Sequence, residues 1–69
     1  MSKFKIEISS VPDRENLVAE IWYNEILVAE INQETEKLEI EFYLNEKIAF
    51  EFDDLFETLK IARTKIMKE

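Results

Sequence analysis

A repeated pentapeptide constrains the fold of this chain more than any other stretch. Residues 17–21 read LVAEI, and the same five residues recur at 27–31, ten positions later. Asn24 and Glu25 lie between the copies, and asparagine tolerates the positive φ that tight hairpin turns require. Both copies are rich in residues that favour strands. The repeat therefore predicts a β-hairpin that turns at Asn24-Glu25.

A two-residue turn fixes which side chains share a face of this predicted hairpin. It sets Tyr23 opposite Ile26 and Ile21 opposite Val28, and opposed residues share a face. We call the two sides face one and face two. Face one carries Val18, Glu20, Trp22, Leu27, Ala29 and Ile31. Face two carries Leu17, Ala19, Ile21, Tyr23, Ile26, Val28, Glu30 and Asn32.

Three further segments alternate apolar and polar residues, the pattern of a half-buried strand. They are residues 3–8, 37–44 and 48–52, and a Pro12-containing loop at 9–16 follows the first of them. A turn at Glu34-Thr35 sets Ile31 opposite Leu38. It adds Leu38, Ile40 and Phe42 to face one, which makes face one the predicted core face.

The last third of the chain predicts one helix. Asp54 with Glu57 three residues later resembles a capping pair. An apolar stripe at helical spacing follows, formed by Leu55, Phe56, Leu59, Ala62, Ile66 and Met67. We expect this helix to cover Trp22, Phe42 and Phe50 on face one. The sequence therefore predicts one α+β domain over residues 1–69: an antiparallel meander of about five strands followed by a C-terminal helix on one face (β-β-β-β-β-α).

Composition excludes several classes of protein. The 69 residues include no cysteine or histidine, which rules out disulfides and the usual zinc sites. Residues 15–57 hold thirteen acidic side chains and two basic ones within a net charge of −7, so direct nucleic-acid binding is not expected. With no long apolar run, we expect no membrane span and a cytoplasmic location.

No motif for catalysis, metal binding or cofactor binding is recognisable. The carboxylate pairs Glu39/Glu41 and Glu20/Glu30 could support acid–base chemistry only within a cleft, and one sheet with one helix leaves little room for it. We predict that the chain is not an enzyme and has no cofactor.

Glu20 does not suit the predicted core face, because a buried carboxylate is costly unless paired or protonated. It could lie at the periphery near Lys3, Lys5 or Arg14. Alternatively, a one-residue register slip could reverse the faces, or Glu20 could be a functional acid.

If the helix covers face one, face two presents apolar and aromatic residues rimmed by acids. An apolar centre with a polar rim is typical of protein interfaces. The alternatives are a covering loop or first strand, and homodimerisation through this face. The predicted partner-binding residues are Tyr23, Ile26, Val28, Glu30, Glu39, Glu41 and Tyr43.

Several stretches resemble small bacterial immunity proteins of contact-dependent and other polymorphic toxin systems. They are P-x-R-E-x-LVAEIW at 12–22, VAEI at 28–31, L-x-IEFY at 38–43 and F-x-FD at 50–53, where x is any residue, and the resemblance extends from residue 12 to 62. It implies a cytosolic, stoichiometric inhibitor that binds a basic toxin domain, often a nuclease, and blocks its active site. A homodimeric structural or adaptor protein and a phage anti-defence inhibitor are the alternatives.

Overall fold

The computed structural model describes residues 3–68, which form one four-stranded sheet and one helix. The sheet is antiparallel with strand order β1-β2-β3-β4, so each strand lies beside the next one in the chain. The predicted α+β class with an antiparallel sheet and a C-terminal helix is confirmed. The elements are β1 (Phe4–Ser9), β2 (Val18–Tyr23), β3 (Ile26–Asn32), β4 (Glu39–Phe42) and α1 (Phe52–Lys68).

The predicted fifth strand is wrong, because the helix begins inside it. Residues 43–51 are irregular, and Phe52 is the first residue of α1. The Glu51 carboxylate accepts hydrogen bonds from the backbone N–H groups of Asp53 (3.3 Å) and Asp54 (2.7 Å). Glu51 thus caps the helix in place of the predicted Asp54, since it satisfies donors that have no partner within a first helical turn.

The predicted turn at Asn24-Glu25 is confirmed. Asn24 has φ 49° and Glu25 has φ 67°, both in the left-handed region, as a type I′ hairpin turn requires. Glutamate pays a steric cost in this region, because its Cβ crowds the backbone. The hairpin therefore carries local strain at Glu25.

Replacement of Glu25 by glycine should relieve that strain. We expect Glu25→Gly to raise the free energy of unfolding by about 0.5–1 kcal/mol, because glycine adopts positive φ freely but loses more backbone entropy on folding. Urea denaturation measures the change. Glu46→Gly is the matched control, since Glu46 lies in an irregular segment and has no positive φ. Equal stabilisation by both variants would contradict the role of the turn.

A β-bulge changes the register of the hairpin two residues from the turn. Tyr23 pairs with Ile26 and Trp22 with Leu27 as predicted, but Ile21 pairs with Ala29. Val28 is the extra residue, and its carbonyl accepts the backbone N–H of Tyr43 at 2.9 Å. The predicted pair of Ile21 with Val28 is therefore wrong. Beyond the bulge, Glu30 pairs with Glu20 and Ile31 pairs with Ala19. Side chains assigned to different predicted faces therefore lie on one side of the hairpin.

The core consequently combines residues from both predicted faces. Ala19 and Ile21 of face two pack in one cluster with Ala29 and Ile31 of face one. The remaining buried members of this cluster are Val28, Ala62 and Ile66. The helix covers this combined side, which we call the helix side, and it contacts mainly β1 and β2. The prediction that the helix covers face one is therefore wrong for β2.

Aromatic residues close the turn end of the core. Phe4, Tyr23 and Phe50 form a triangle whose ring centroids lie 4.8–5.3 Å apart. Phe50 is thus near the core as predicted. Phe42 is 54% exposed, because α1 does not extend over β4.

The helix buries a narrower stripe than predicted. Thr58, Ala62 and Ile66 are buried, whereas Phe56 and Met67 are exposed. Thr58 fits an apolar interface because its hydroxyl donates to the Asp54 carbonyl at 2.8 Å. On the sheet, Ile31 pairs with Ile40 where Leu38 was predicted. This two-residue shift leaves the faces of β4 unchanged, because side chains alternate with a period of two.

Candidate protein-binding face

Four glutamates form one line across the sheet on the side away from the helix. Glu7 pairs with Glu20, Glu20 with Glu30, and Glu30 with Glu41, so each strand contributes one carboxylate. We call these four residues the glutamate row. Like charges directly opposite each other destabilise a sheet. The row therefore costs stability unless other groups compensate for its charge.

Arg14 supplies most of that compensation. Its Nε donates to Glu30 Oε2 at 2.9 Å, and a terminal nitrogen contacts Glu41. The Tyr43 hydroxyl donates to the other Glu30 oxygen at 3.0 Å. Glu30 is only 7% exposed, so these bonds replace the water that it loses on folding. The β3–β4 half of the row is thus held by one guanidinium and one phenol.

The pKa values of Arg14 and Tyr43 reflect these contacts. The hydrogen bond to Glu30 raises the pKa of the Arg14 guanidinium above its ordinary value. Burial raises the pKa of the Tyr43 hydroxyl, and its hydrogen bond to Glu30 adds to this rise. Both groups therefore keep their protons, and both remain donors to Glu30 across the neutral range.

The loop that carries Arg14 is anchored to the segment after β3. The Glu34 carboxylate accepts the backbone N–H groups of Glu15 and Asn16, each at 3.2 Å. These hydrogen bonds lower the pKa of the Glu34 carboxyl, and the bond from the Glu15 N–H has the largest effect. Gln33 Nε2 donates to the Leu17 carbonyl at 3.0 Å. Arg14 thus reaches the sheet from a loop whose backbone is held by the side chains of Gln33 and Glu34.

The β1–β2 half of the row has weaker partners. Glu20 accepts a hydrogen bond from the Ser9 hydroxyl at 3.2 Å, and Glu7 lies 3.8 Å from the Lys5 ammonium. Glu20 is half-buried on the side without the helix. Of the explanations weighed for Glu20, a difference in register is the one that the structure shows. No ion pair of Glu20 is formed within residues 3–68.

The structure separates the seven predicted partner-binding residues into two groups. Val28 is 2% exposed in the core, Glu30 is buried under Arg14, and Tyr23 packs against Phe4 and Phe50. The expectation that face two is open is therefore wrong at these positions. Val28 and Tyr23 pack with the core cluster on the helix side, and Arg14 from the loop at 9–16 covers Glu30 on the other side. The exposed residues are Ile26, Glu39, Glu41 and Tyr43, whose role in binding stays a prediction.

Neither the place of Glu7 on this face nor the pairing of Arg14 with Glu30 follows from the alternation pattern of the sequence. The signal for the row was the repeat itself. If both copies of LVAEI place equivalent residues on equivalent faces, then Glu20 and Glu30 share a face. That arrangement requires the bulge.

Residues 3–68 were compared with the features of a metal site, a ligand pocket and a membrane-spanning helix. Residues 3–68 contain no group of three or more acidic side chains that could hold a metal ion. An open depression of about 670 Å³ is lined by Lys3, Lys5, Glu7, Trp22, Asn24 and Glu25. The indole nitrogen of Trp22 is buried and has no hydrogen-bond partner within residues 3–68. No helix within 3–68 is both long and apolar enough to cross a membrane.

Comparisons with known proteins add no relative. Neither the scan against protein-family models nor the searches of curated proteins and solved structures gave a match to this chain.

Proposed function

We propose that this chain is a stoichiometric protein inhibitor that binds a basic partner domain through the acidic side of its sheet. The glutamate row carries this proposal. All four strands contribute one glutamate to this line of like charges, and a single arginine offsets only its β3–β4 half. Acidic residues that lower the stability of the fold are consistent with a role in recognising a basic partner.

The proposed partner is a toxin domain, such as a nuclease, and the chain is its cytoplasmic immunity protein. Neighbouring strands lie about 4.8 Å apart. The row therefore sets the carboxylates of Glu7, Glu20 and Glu41 along one line, with Glu30 held under Arg14 between Glu20 and Glu41. A nuclease groove rich in lysine and arginine accepts such a line of negative charge in place of phosphates. The Tyr43 ring, exposed beside Glu30 and Glu41, supplies an aromatic anchor.

The test is binding and protection against the toxin domain encoded by the adjacent gene. The variant Glu7→Gln/Glu20→Gln/Glu39→Gln removes two charges of the row and the charge of Glu39, which lies on the same side of β4, and it leaves the contacts of Arg14 intact. We expect its association rate at low salt to fall about tenfold or more, because rim charges act mainly on the rate of encounter. Stopped-flow fluorescence of Trp22 measures this rate, and a nuclease assay measures protection.

The matched control is Glu25→Gln/Glu46→Gln/Glu57→Gln, which removes the same charge from exposed positions outside the row. We expect it to lower the association rate by less than half as much on a logarithmic scale. Equal losses of association rate in the two variants would mean that net charge alone, and not the position of the glutamates, controls the rate. Absence of binding to any basic domain would overturn the proposed function.

A further inference from the structure

Strand β4 is an edge of the sheet that remains available for pairing. It is the last strand in the order β1-β2-β3-β4, and no strand lies beyond it within residues 3–68. All four of its residues are exposed. Open edge strands pair readily with other extended chains, and many sheet proteins block them with proline or a covering element. Here the residues of β4, EIEF, include no proline and no lysine.

The register identifies the backbone groups that point away from β3. The Tyr43 N–H donates to the Val28 carbonyl, so this opposed position is a hydrogen-bonded pair. Hydrogen-bonded and non-bonded pairs alternate along an antiparallel ladder. Glu41 and Glu39 therefore bond to β3, whereas the N–H and C=O groups of Ile40 and Phe42 point to the free edge.

Both residues lie on the helix side of β4, and Ile40 lines an apolar groove there. Ile40 and Phe42 oppose Ile31 and Ala29, which belong to the core cluster, so all four share that side. A shallow groove of about 220 Å³ lies between strand and helix, lined by Ile31, Leu38, Glu39, Ile40, Leu59 and Arg63. Nearer the start of the helix, Phe52 stacks on Phe56 with ring centroids 6.1 Å apart, and both rings are exposed.

The opposite side of the edge is acidic. Glu39 and Glu41 are exposed and alternate with Ile40 and Phe42, so they lie on the side without the helix. A strand added to β4 would meet apolar side chains on one of its faces and carboxylates on the other. The edge therefore combines free backbone groups with a two-sided side-chain pattern.

We propose that β4 binds an extended segment of the partner protein in which apolar and basic residues alternate, added as an antiparallel fifth strand. The apolar residues of this segment oppose Ile40 and Phe42 beside the groove, and its lysines or arginines lie next to Glu39 and Glu41. Backbone bonds supply affinity and the alternating side chains supply selectivity. This inference rests on the proposed function, since it names the segment of the basic partner that is bound.

A second copy of this chain fits the edge poorly. Antiparallel pairing of β4 with β4 of another copy would place Glu39 and Glu41 against the same glutamates of the copy. Like charges directly opposite destabilise such a pair. A basic segment meets the same positions with opposite charge, so charge complementarity favours a partner strand.

The test uses synthetic peptides and the intact chain labelled with ¹⁵N. The probe is TVKVRVT, and the composition-matched control is TVVVKRT, which lacks the alternation. We expect the probe to shift the amide signals of residues 39–43 and to bind at least tenfold more tightly than the control. Two N-methylated probes then identify the bonded edge. Methylation of the valine amides should abolish binding, whereas methylation of the lysine and arginine amides should preserve it, because only the valine amides face β4.

Two charge variants complete the experiment. We expect Glu39→Lys to weaken binding of the probe by about tenfold, since it replaces an attraction with a repulsion next to the added strand. Glu57→Lys makes the same charge change at a helix position that lines a separate stretch of surface with Ile61 and Lys65, and it should have under a threefold effect. Equal effects of the two variants would overturn the inference.

The outcomes also separate this inference from the proposed function. Equal binding of TVKVRVT and the control, or equal effects of the two methylation patterns, would overturn strand addition. If the toxin domain still bound under those circumstances, the inhibitor function would stand without it. Peptide binding without any binding of a basic domain would instead overturn the inhibitor function. Self-association in light scattering, accompanied by shifts of the amide signals of residues 39–43 as the chain concentration rises, would overturn the choice of a partner segment.

Discussion

Replacement of Arg14 by methionine should lower the melting temperature of this domain by roughly 10 °C. The variant keeps much of the side-chain length but removes the guanidinium. Glu30, 7% exposed, would then keep the Tyr43 hydroxyl as its side-chain donor while facing Glu20 and Glu41 across the sheet. A buried carboxylate that loses its charged partner is strongly destabilising, and like charges on both sides add to this effect.

The companion variant removes the charge that Arg14 compensates. In Arg14→Met/Glu30→Gln the amide still accepts from Tyr43 but carries no charge. We expect the double variant to recover at least half of the lost melting temperature, as measured by circular dichroism. Lys5→Met is the surface control, because the Lys5–Glu7 pair is largely exposed and such pairs contribute little. A double variant less stable than Arg14→Met would contradict the compensating role of Arg14.

Truncation of Ile21 should remove much of the stability of the chain. Ile21 is 0% exposed and packs with Ala29, Ala62 and Ile66. We expect Ile21→Ala to lower the free energy of unfolding by about 3 kcal/mol, from the lost burial and the cavity left behind. Small domains have about 0.05–0.15 kcal/mol of stability per residue, so this loss is a large share of the total. Urea denaturation measures it.

Ile26→Ala is the matched control, because it makes the same chemical change in the same hairpin. Ile26 is 56% exposed beside the turn, so we expect a change below about 1 kcal/mol. The bulge leaves the pair Tyr23–Ile26 unchanged, so Ile21 and Ile26 lie on one side of the hairpin and differ in how far the helix covers them. Similar losses in the two variants would therefore argue against the helix placement.

The sequence predicts the hairpin and its turn because both depend on local chemistry. Asn24 favours positive φ, and strand-forming residues flank the turn, so the chain needs no distant contact to form it. The class of the fold follows from short connections and one apolar helical stripe. These features were sufficient for an antiparallel sheet with a C-terminal helix.

The bulge was not predicted because alternation along a strand assumes an uninterrupted period of two. One extra residue at Val28 reverses every later pairing without any change in composition. The fifth strand was predicted because residues 48–52 alternate. The helix begins at Phe52 because the Glu51 carboxylate caps its first turn. Alternation of apolar and polar residues along the chain does not indicate such a side-chain contact.

The glutamate row also depends on the bulge at Val28. Without the bulge, Glu20 opposes Ala29, and no line of glutamates crosses the sheet. The partner of Glu30 is Arg14, sixteen residues earlier in an irregular loop. Periodicity does not report such a contact. Exposed Glu39, Glu41 and Tyr43 were identified from the sequence because β4 alternates regularly up to its edge.

The bulge also makes the hairpin tolerant of a change in chain length. Val28 is the residue that β2 does not pair, so its deletion would join the pairs Trp22–Leu27 and Ile21–Ala29 in unbroken alternation. The positions of Glu20 and Glu30 would stay opposite each other. Variants of this chain that are one residue shorter at this point would thus keep the same charge pattern across the sheet, at the cost of one buried valine.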